Sequence, residues 1–235
     1  MKTPNIIIAE NNEQVALELI KIVKDCIEKA NEKAVIGVSG GSLPKFLVQG
    51  INTDFGKEIE WSKVTFIFCD ERMVEFENAE STFGLYKKLL EGSPIKEEQF
   101  LKVDVELDVI SAARDYEEKI KTLMGDQPKA DLLLLGMGPD GHTCSLFPGH
   151  DLLDEKNKIV SPINDSPKPP PERVTLTLPI INSAKAVAFV STGEGKKEII
   201  QEVLNEKNNS YPATLVNPTN GILHWIIDKP AGSLL

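Results

Sequence analysis

Cysteine, positive charge and long apolar runs are all in short supply in this chain. Its three cysteines, Cys26, Cys69 and Cys144, are widely spaced and form no CxxC pair. That argues against a disulfide framework or a structural zinc site and fits a reducing compartment, the cytoplasm. No apolar stretch approaches the ~20 residues that a membrane helix needs. The opening MKTPNIIIAENNEQ places acids directly after a very short apolar run, so it reads neither as a secretory signal nor as an Arg-rich transit peptide. Lysine and arginine number 26 against 36 acids, a formal charge of −10 that repels nucleic acid and anionic membranes over any large contact. A small anionic substrate remains compatible, because a few cations and oriented N–H groups make a local positive site whatever the total. No GKS or GKT is present, so the phosphate loop of ATPases is missing. Internal repeats and low-complexity tracts are absent as well.

What remains is ordinary in amount and informative in pattern. The 235 residues, 41% hydrophobic and 26% charged, suit one globular α/β domain spanning 1–235. Val15, Leu19, Ile22, Val23, Cys26 and Ile27 recur at helical spacing and predict an amphipathic helix over 13–30. A strand is expected at 34–38, followed by the turn Ser39-Gly40-Gly41-Ser42 and a new helix that Ser42 can cap and Pro44 can open. Strands are also expected at 64–69, 132–135 and 186–190, with helices at 81–90, 110–124 and 197–204. Segments 214–216 and 223–227 are expected as edge strands. Residues 161–172, with five prolines, read as a stiff surface segment before β character resumes at 173–177. Alternating strands and helices imply a Rossmann-like three-layer fold. Its mainly parallel sheet is covered by helices on both faces, has a small extra edge-strand region, and holds ligands beyond the strands' carboxyl ends.

Four polar turns then converge on one rim. In DLLLLGMGPDGHT an apolar run stops in glycines that present Asp140 and His142, a carboxylate and a base that titrates near neutrality. Gly37-Val38-Ser39-Gly40-Gly41 matches GxSxG and sits between strand and helix, which admits a Ser39 nucleophile. A phosphate cradle of backbone N–H groups at a helix start needs the same small residues, and so does a plain structural turn. Gly136 to Gly141 matches GxGxxG, but the interrupted sequence after it does not support the helix of a dinucleotide site. Asp70-Glu71-Arg72 reads either as a solvated charged turn or as part of the site. Lys196 opens a helix, where a cation opposes the helix dipole unless an anion binds nearby. Asp140, His142 and Cys144 lack a recognisable metal-ligand spacing, so no metal is assigned. His150 and His224 read as structural.

Taken together, GVSGGSL, CDERMV, DLLLLGMGPDGHTCSLFPGH, SPKPPPERVTLTLP and STGEGKKEII resemble the 6-phosphogluconolactonases, of eukaryotic cytosolic type, over essentially the whole chain. The resemblance implies hydrolysis of 6-phospho-D-glucono-1,5-lactone in the oxidative pentose phosphate pathway, without metal, nucleotide or other cofactor. His142 would act as general base and then general acid, with Asp140 or Asp70 orienting it or holding sugar hydroxyls. Ser39, Gly40, Gly41 and Ser42, with Lys196 and Arg72 or Arg173, would take the phosphate. Glucosamine-6-phosphate deaminases share the fold and both glycine turns. They carry a glutamate where this chain has Phe147 and a tyrosine where it has Arg72. That aldose-ketose isomerase reading and a non-catalytic sugar-phosphate sensor are the alternatives. A monomer is the expected state, with no nucleic-acid or membrane partner.

Overall fold

The two most apolar segments of the chain lie side by side at the centre of the molecule, a computed structural model that describes residues 3–235. Ten strands are β1 (Asn5–Ala9), β2 (Ala34–Val38), β3 (Val64–Phe68), β4 (Asp70–Arg72), β5 (Phe100–Leu101), β6 (Leu132–Gly136), β7 (Val160–Ile163), β8 (Arg173–Leu176), β9 (Ala186–Ser191) and β10 (Ile222–Asp228). The helices are α1 (Asn12–Lys29), α2 (Leu43–Ile51), α3 (Asp54–Lys57), α4 (Thr82–Leu89), α5 (Val109–Met124), α6 (Leu178–Ser183), α7 (Lys197–Gln201) and α8 (Pro212–Leu215). Seven strands form a sheet in the order β1-β10-β9-β6-β2-β3-β5, parallel at every pairing. All five residues of β2 are buried, as are Leu132 to Leu135 of β6. Successive side chains of a strand point to opposite faces, so both faces of the sheet are covered. Gly37 is needed here for packing: it pairs with Leu133, and a Cβ on it would overlap the Leu133 side chain. Among the described residues no helix is long and apolar enough to cross a membrane.

The chain runs outward from β2 through β3 to β5, then returns to β6 and runs the other way through β9 and β10. The order therefore reverses between β2 and β6, and a crevice opens beyond their carboxyl ends. A second, antiparallel sheet, β4-β8-β7, packs against α5 and walls that crevice.

Several elements differ from the sequence expectation. Asp70 to Arg72 is a strand, because β8 supplies backbone partners from a hundred residues away. Glu71 is fully buried and accepts N–H bonds from Arg72, Thr82 and Phe83 at 2.7–2.8 Å, so it caps α4 and is not solvated. Segment 223–227 lies inside β10, between β1 and β9, and the edges are β1 and β5. Residues 214 and 215 belong to α8, which Pro212 opens. The expected helix 197–204 holds to Gln201 and then widens into a π-helical turn, Glu202–Glu206. The start of the proline-rich stretch is paired as β7, an edge strand of the small sheet where Pro162 is tolerated. Ser42 stands at the N-cap of α2 but makes no side-chain cap bond.

Candidate active site

Central strands β9, β6, β2 and β3 end on the same rim and enclose a cleft of about 250 Å³. Ser39, Gly40, Gly41 and Ser42 enter it after β2, Asp70 and Arg72 from β4, and Gly136, Met137, Gly138, His142 and Cys144 from β6 and its turn. Arg173 comes from β8, while Val190, Ser191, Thr192 and Lys196 come from β9 and beyond. Of the residues assigned to the site from the sequence, all line the cleft except Asp140, which bonds His142 from outside it. A wider groove of about 810 Å³, between Phe76, Lys87 and Phe100, carries none of these turns and no histidine.

The turn after β6 is closed on itself. Gly138 N–H donates to the carbonyl of His142 at 2.9 Å, and Gly141 N–H to that of Gly138 at 3.1 Å, with Gly141 at φ +74°. A Cβ on Gly138 would overlap the imidazole, so only glycine lets the backbone pass this close to the ring. Nδ1 of His142 lies against Oδ1 of Asp140, and Lys168 Nζ stands 2.9 Å from Oδ2 of the same carboxylate. Burial works to raise the Asp140 carboxyl, but the bonds from His142 and Lys168 outweigh it and hold it at about 2. An ionised carboxylate only accepts, so Nδ1 carries the ring proton and Nε2 keeps its lone pair. Burial pushes the His142 imidazolium below its usual range, Asp140 opposing and Lys168 assisting, so the ring is a neutral base at neutral pH.

Asp70 accepts a hydrogen bond from Ser145 Oγ at 2.8 Å and has no bond to His142, so Asp140 orients the ring. Ser39 is buried and its Oγ has no hydrogen-bond partner, so no base reaches it as a nucleophile would require. The turn carrying it is anchored by Tyr86, whose hydroxyl donates to the Ser39 carbonyl at 3.0 Å. Gly41 sits at φ +70°, and the N–H groups of Gly40, Gly41 and Ser42 donate to no protein acceptor among the described residues. Of the cationic groups around them, Arg72 pairs with Glu80 at 3.3 Å, while Lys196 and Arg173 make no ion pair among the described residues. Lys196 donates to the Met137 carbonyl and has no acid partner, and burial lowers its ammonium from the usual value. Arg72 and Arg173 face each other across the β4–β8 pair. Burial, then Arg72, lowers the Arg173 guanidinium. Arg72 touches Glu80 through Nη1 and leaves Nε unpaired. A net positive cleft in a chain of charge −10 suits a phosphorylated ligand.

The family profile described as Glucosamine-6-phosphate isomerases/6-phosphogluconolactonase matches residues 9–225. The chain belongs to that family. A 6-phosphogluconolactonase of Rattus norvegicus is 48% identical over 215 residues, covering 89% of this chain and 84% of the relative. A 6-phosphogluconolactonase structure from Trypanosoma cruzi superposes with a TM-score of 0.88 at 29% identity, covering 99% of this chain and 97% of that one. A monomeric glucosamine-6-phosphate deaminase shares the fold at a TM-score of 0.81 and 22% identity, over 98% of this chain and all of its own. The glucosamine-6-phosphate isomerase/6-phosphogluconolactonase fold thus serves more than one reaction, and the choice falls to side chains. Phe147 packs against His142 with ring centres 5.0 Å apart. Lys168 and Ser191 were missed by sequence reasoning. Ser191, buried with an unpartnered Oγ, is an unremarkable serine at a strand end. Lys168 carried no such signal either: it stands among prolines in a stretch that reads as plain stiff surface.

Proposed function

We propose that this chain hydrolyses 6-phospho-D-glucono-1,5-lactone to 6-phospho-D-gluconate, the step of the oxidative pentose phosphate pathway that opens the lactone. The observation that carries the reading is a neutral His142 in a cleft of cations. Its Nδ1 is occupied by Asp140, and its Nε2 is free. Nε2 takes a proton from water as the oxygen bonds to the lactone C1. The resulting imidazolium gives that proton to the ring oxygen as the C1–O bond breaks. The Gly40, Gly41 and Ser42 N–H groups, Ser39, Lys196 and Arg72 hold the 6-phosphate and fix the carbonyl near His142, a gain in positioning. Arg173 contributes less to the phosphate than to the wall, since its donors go to Ser145 and to the carbonyls of Lys168, Pro169 and Pro170. Asp70, partnered by Ser145, faces the sugar hydroxyls. On this reading the whole chain acts as one sugar-phosphate hydrolase domain and works as a cytoplasmic monomer. It needs no nucleic-acid or membrane partner.

The test is proton release from freshly generated lactone near pH 7 against the spontaneous rate. The wild type accelerates it. His142→Ala loses ~10²–10⁴-fold in kcat, the range of a general base. Lys196→Ala raises KM with a smaller change in kcat. Undiminished turnover in His142→Ala overturns the reading, and ammonia release from glucosamine 6-phosphate would point to the isomerase side of the family.

A further inference from the structure

Lys168 has no assigned role, yet its segment is held at several points. It sits on the segment between β7 and β8, and that segment is clamped from below by Arg173. Arg173 Nη2 donates to the carbonyls of Lys168 and Pro169 at 2.9 and 3.1 Å, and Nε to that of Pro170 at 3.1 Å. Ser166 closes the segment from the other side, its Oγ donating to the Lys168 carbonyl at 2.8 Å. A guanidinium that is only 3% exposed is thus spent on three carbonyls. The outcome of this clamp is the position of one ammonium, 2.9 Å from Asp140 Oδ2 and 3.0 Å from His142 Nδ1.

An ammonium and a carboxylate ask opposite things of Nδ1. Asp140 needs Nδ1 to donate, whereas a lysine at 3.0 Å can only donate to it. Because Lys168 is also paired with Oδ2, it stays beside the ring while Asp140 Oδ1 takes the Nδ1 proton. Its charge then disfavours any second proton on the imidazole. When water's proton reaches Nε2, the imidazolium forms next to a fixed cation and is driven to release it. The other titratable or charged groups of the same cleft are Asp70 and Arg72 from β4, Arg173 from β8, Cys144 beyond the turn and Lys196 before α7, and Phe147 packs on the ring. None of them contacts Nδ1.

We propose that Lys168 is a positioning residue, held by Arg173, whose ammonium fixes Asp140 on Nδ1 of His142 and speeds return of the proton from Nε2 to the leaving oxygen. The catalytic half of this statement rests on the lactonase reading, while the control of the ring does not.

The experiment uses the full chain carrying Lys168→Met or Lys168→Arg. The His142 ring is followed by ¹⁵N NMR across pH 4.5–8.5 without ligand, and kcat and KM are measured on the lactone over the same range. Lys168→Met is expected to raise the His142 titration midpoint and move the acid limb of kcat/KM with it. It lowers kcat about tenfold and leaves KM within about threefold. Lys168→Arg restores the midpoint and most of kcat. A Lys168→Met protein that melts like the wild type with an unmoved midpoint overturns the proposal. So does a kcat loss that Lys168→Arg leaves unrepaired at a wild-type midpoint. If Lys168→Met fails to fold, Lys168→Gln is read in the same way. Absence of lactone hydrolysis in the wild type would sink the lactonase reading alone, because the NMR midpoint still decides what Lys168 does to the ring.

Discussion

At the scale of single residues, the chemistry reduces to how two groups divide one proton. Asp140 at about 2 stays ionised throughout the working range, so it cannot be the group that shuts activity off in mild acid. In the mechanism proposed above, His142 is that group. Its folded value lies below the ordinary 6.5, chiefly through burial, so the neutral form predominates at neutrality. Activity therefore disappears only as pH falls through the lowered value. The acid limb of kcat/KM against pH is expected to fall with unit slope through a midpoint below 6.5; a midpoint above 6.5 would contradict it. Most of this was legible in the sequence, since a glycine turn presenting an acid and an imidazole after an apolar run announces itself. Lys168 was not, because its partners are twenty-six and twenty-eight positions away and no periodicity links them.

At the scale of elements, the site is a set of strand ends whose turns are shaped by glycine and anchored by buried hydrogen bonds. Gly138 carries the sharpest consequence, because a Cβ there would overlap Cε1 and Nδ1 of His142. Gly138→Ala is expected to keep the fold and to lower kcat by about 10²-fold, the cost of a displacement near 1 Å. Circular dichroism and steady-state kinetics on the same preparation check both halves. The strands of the parallel sheet were readable because their apolar runs are local. Strand β4 was not, since the residues Asp-Glu-Arg pair only with β8, and a sequence cannot display a partner that distant. The same blindness turned Glu71 into an apparent surface charge, although it is a buried cap for α4. A hydrophobic strand such as β10 likewise reveals that it exists without revealing that it lies inside the sheet.

At the scale of the whole molecule, the cleft depends on a sheet whose middle is almost wholly aliphatic. Leu134 is fully buried on β6, in register with Val38 of β2 and Ala188 of β9, directly beneath the turns that form the site. Leu134→Ala is expected to cost about 2–5 kcal/mol, from lost apolar contact and the void left behind. Urea unfolding measures it. The alternation of strands and helices was enough to foresee this architecture, but not the position of each strand within it. That position has a consequence in time. Strand β1 has a single neighbour, β10, which is the last strand of the chain. Strands β2, β3, β6 and β9 can find one another while the carboxyl-terminal residues are still being made. The Ile6 and Ile8 segment must wait, unpaired, through more than two hundred residues of synthesis. Within this sheet, the strand made first pairs only with the strand made last.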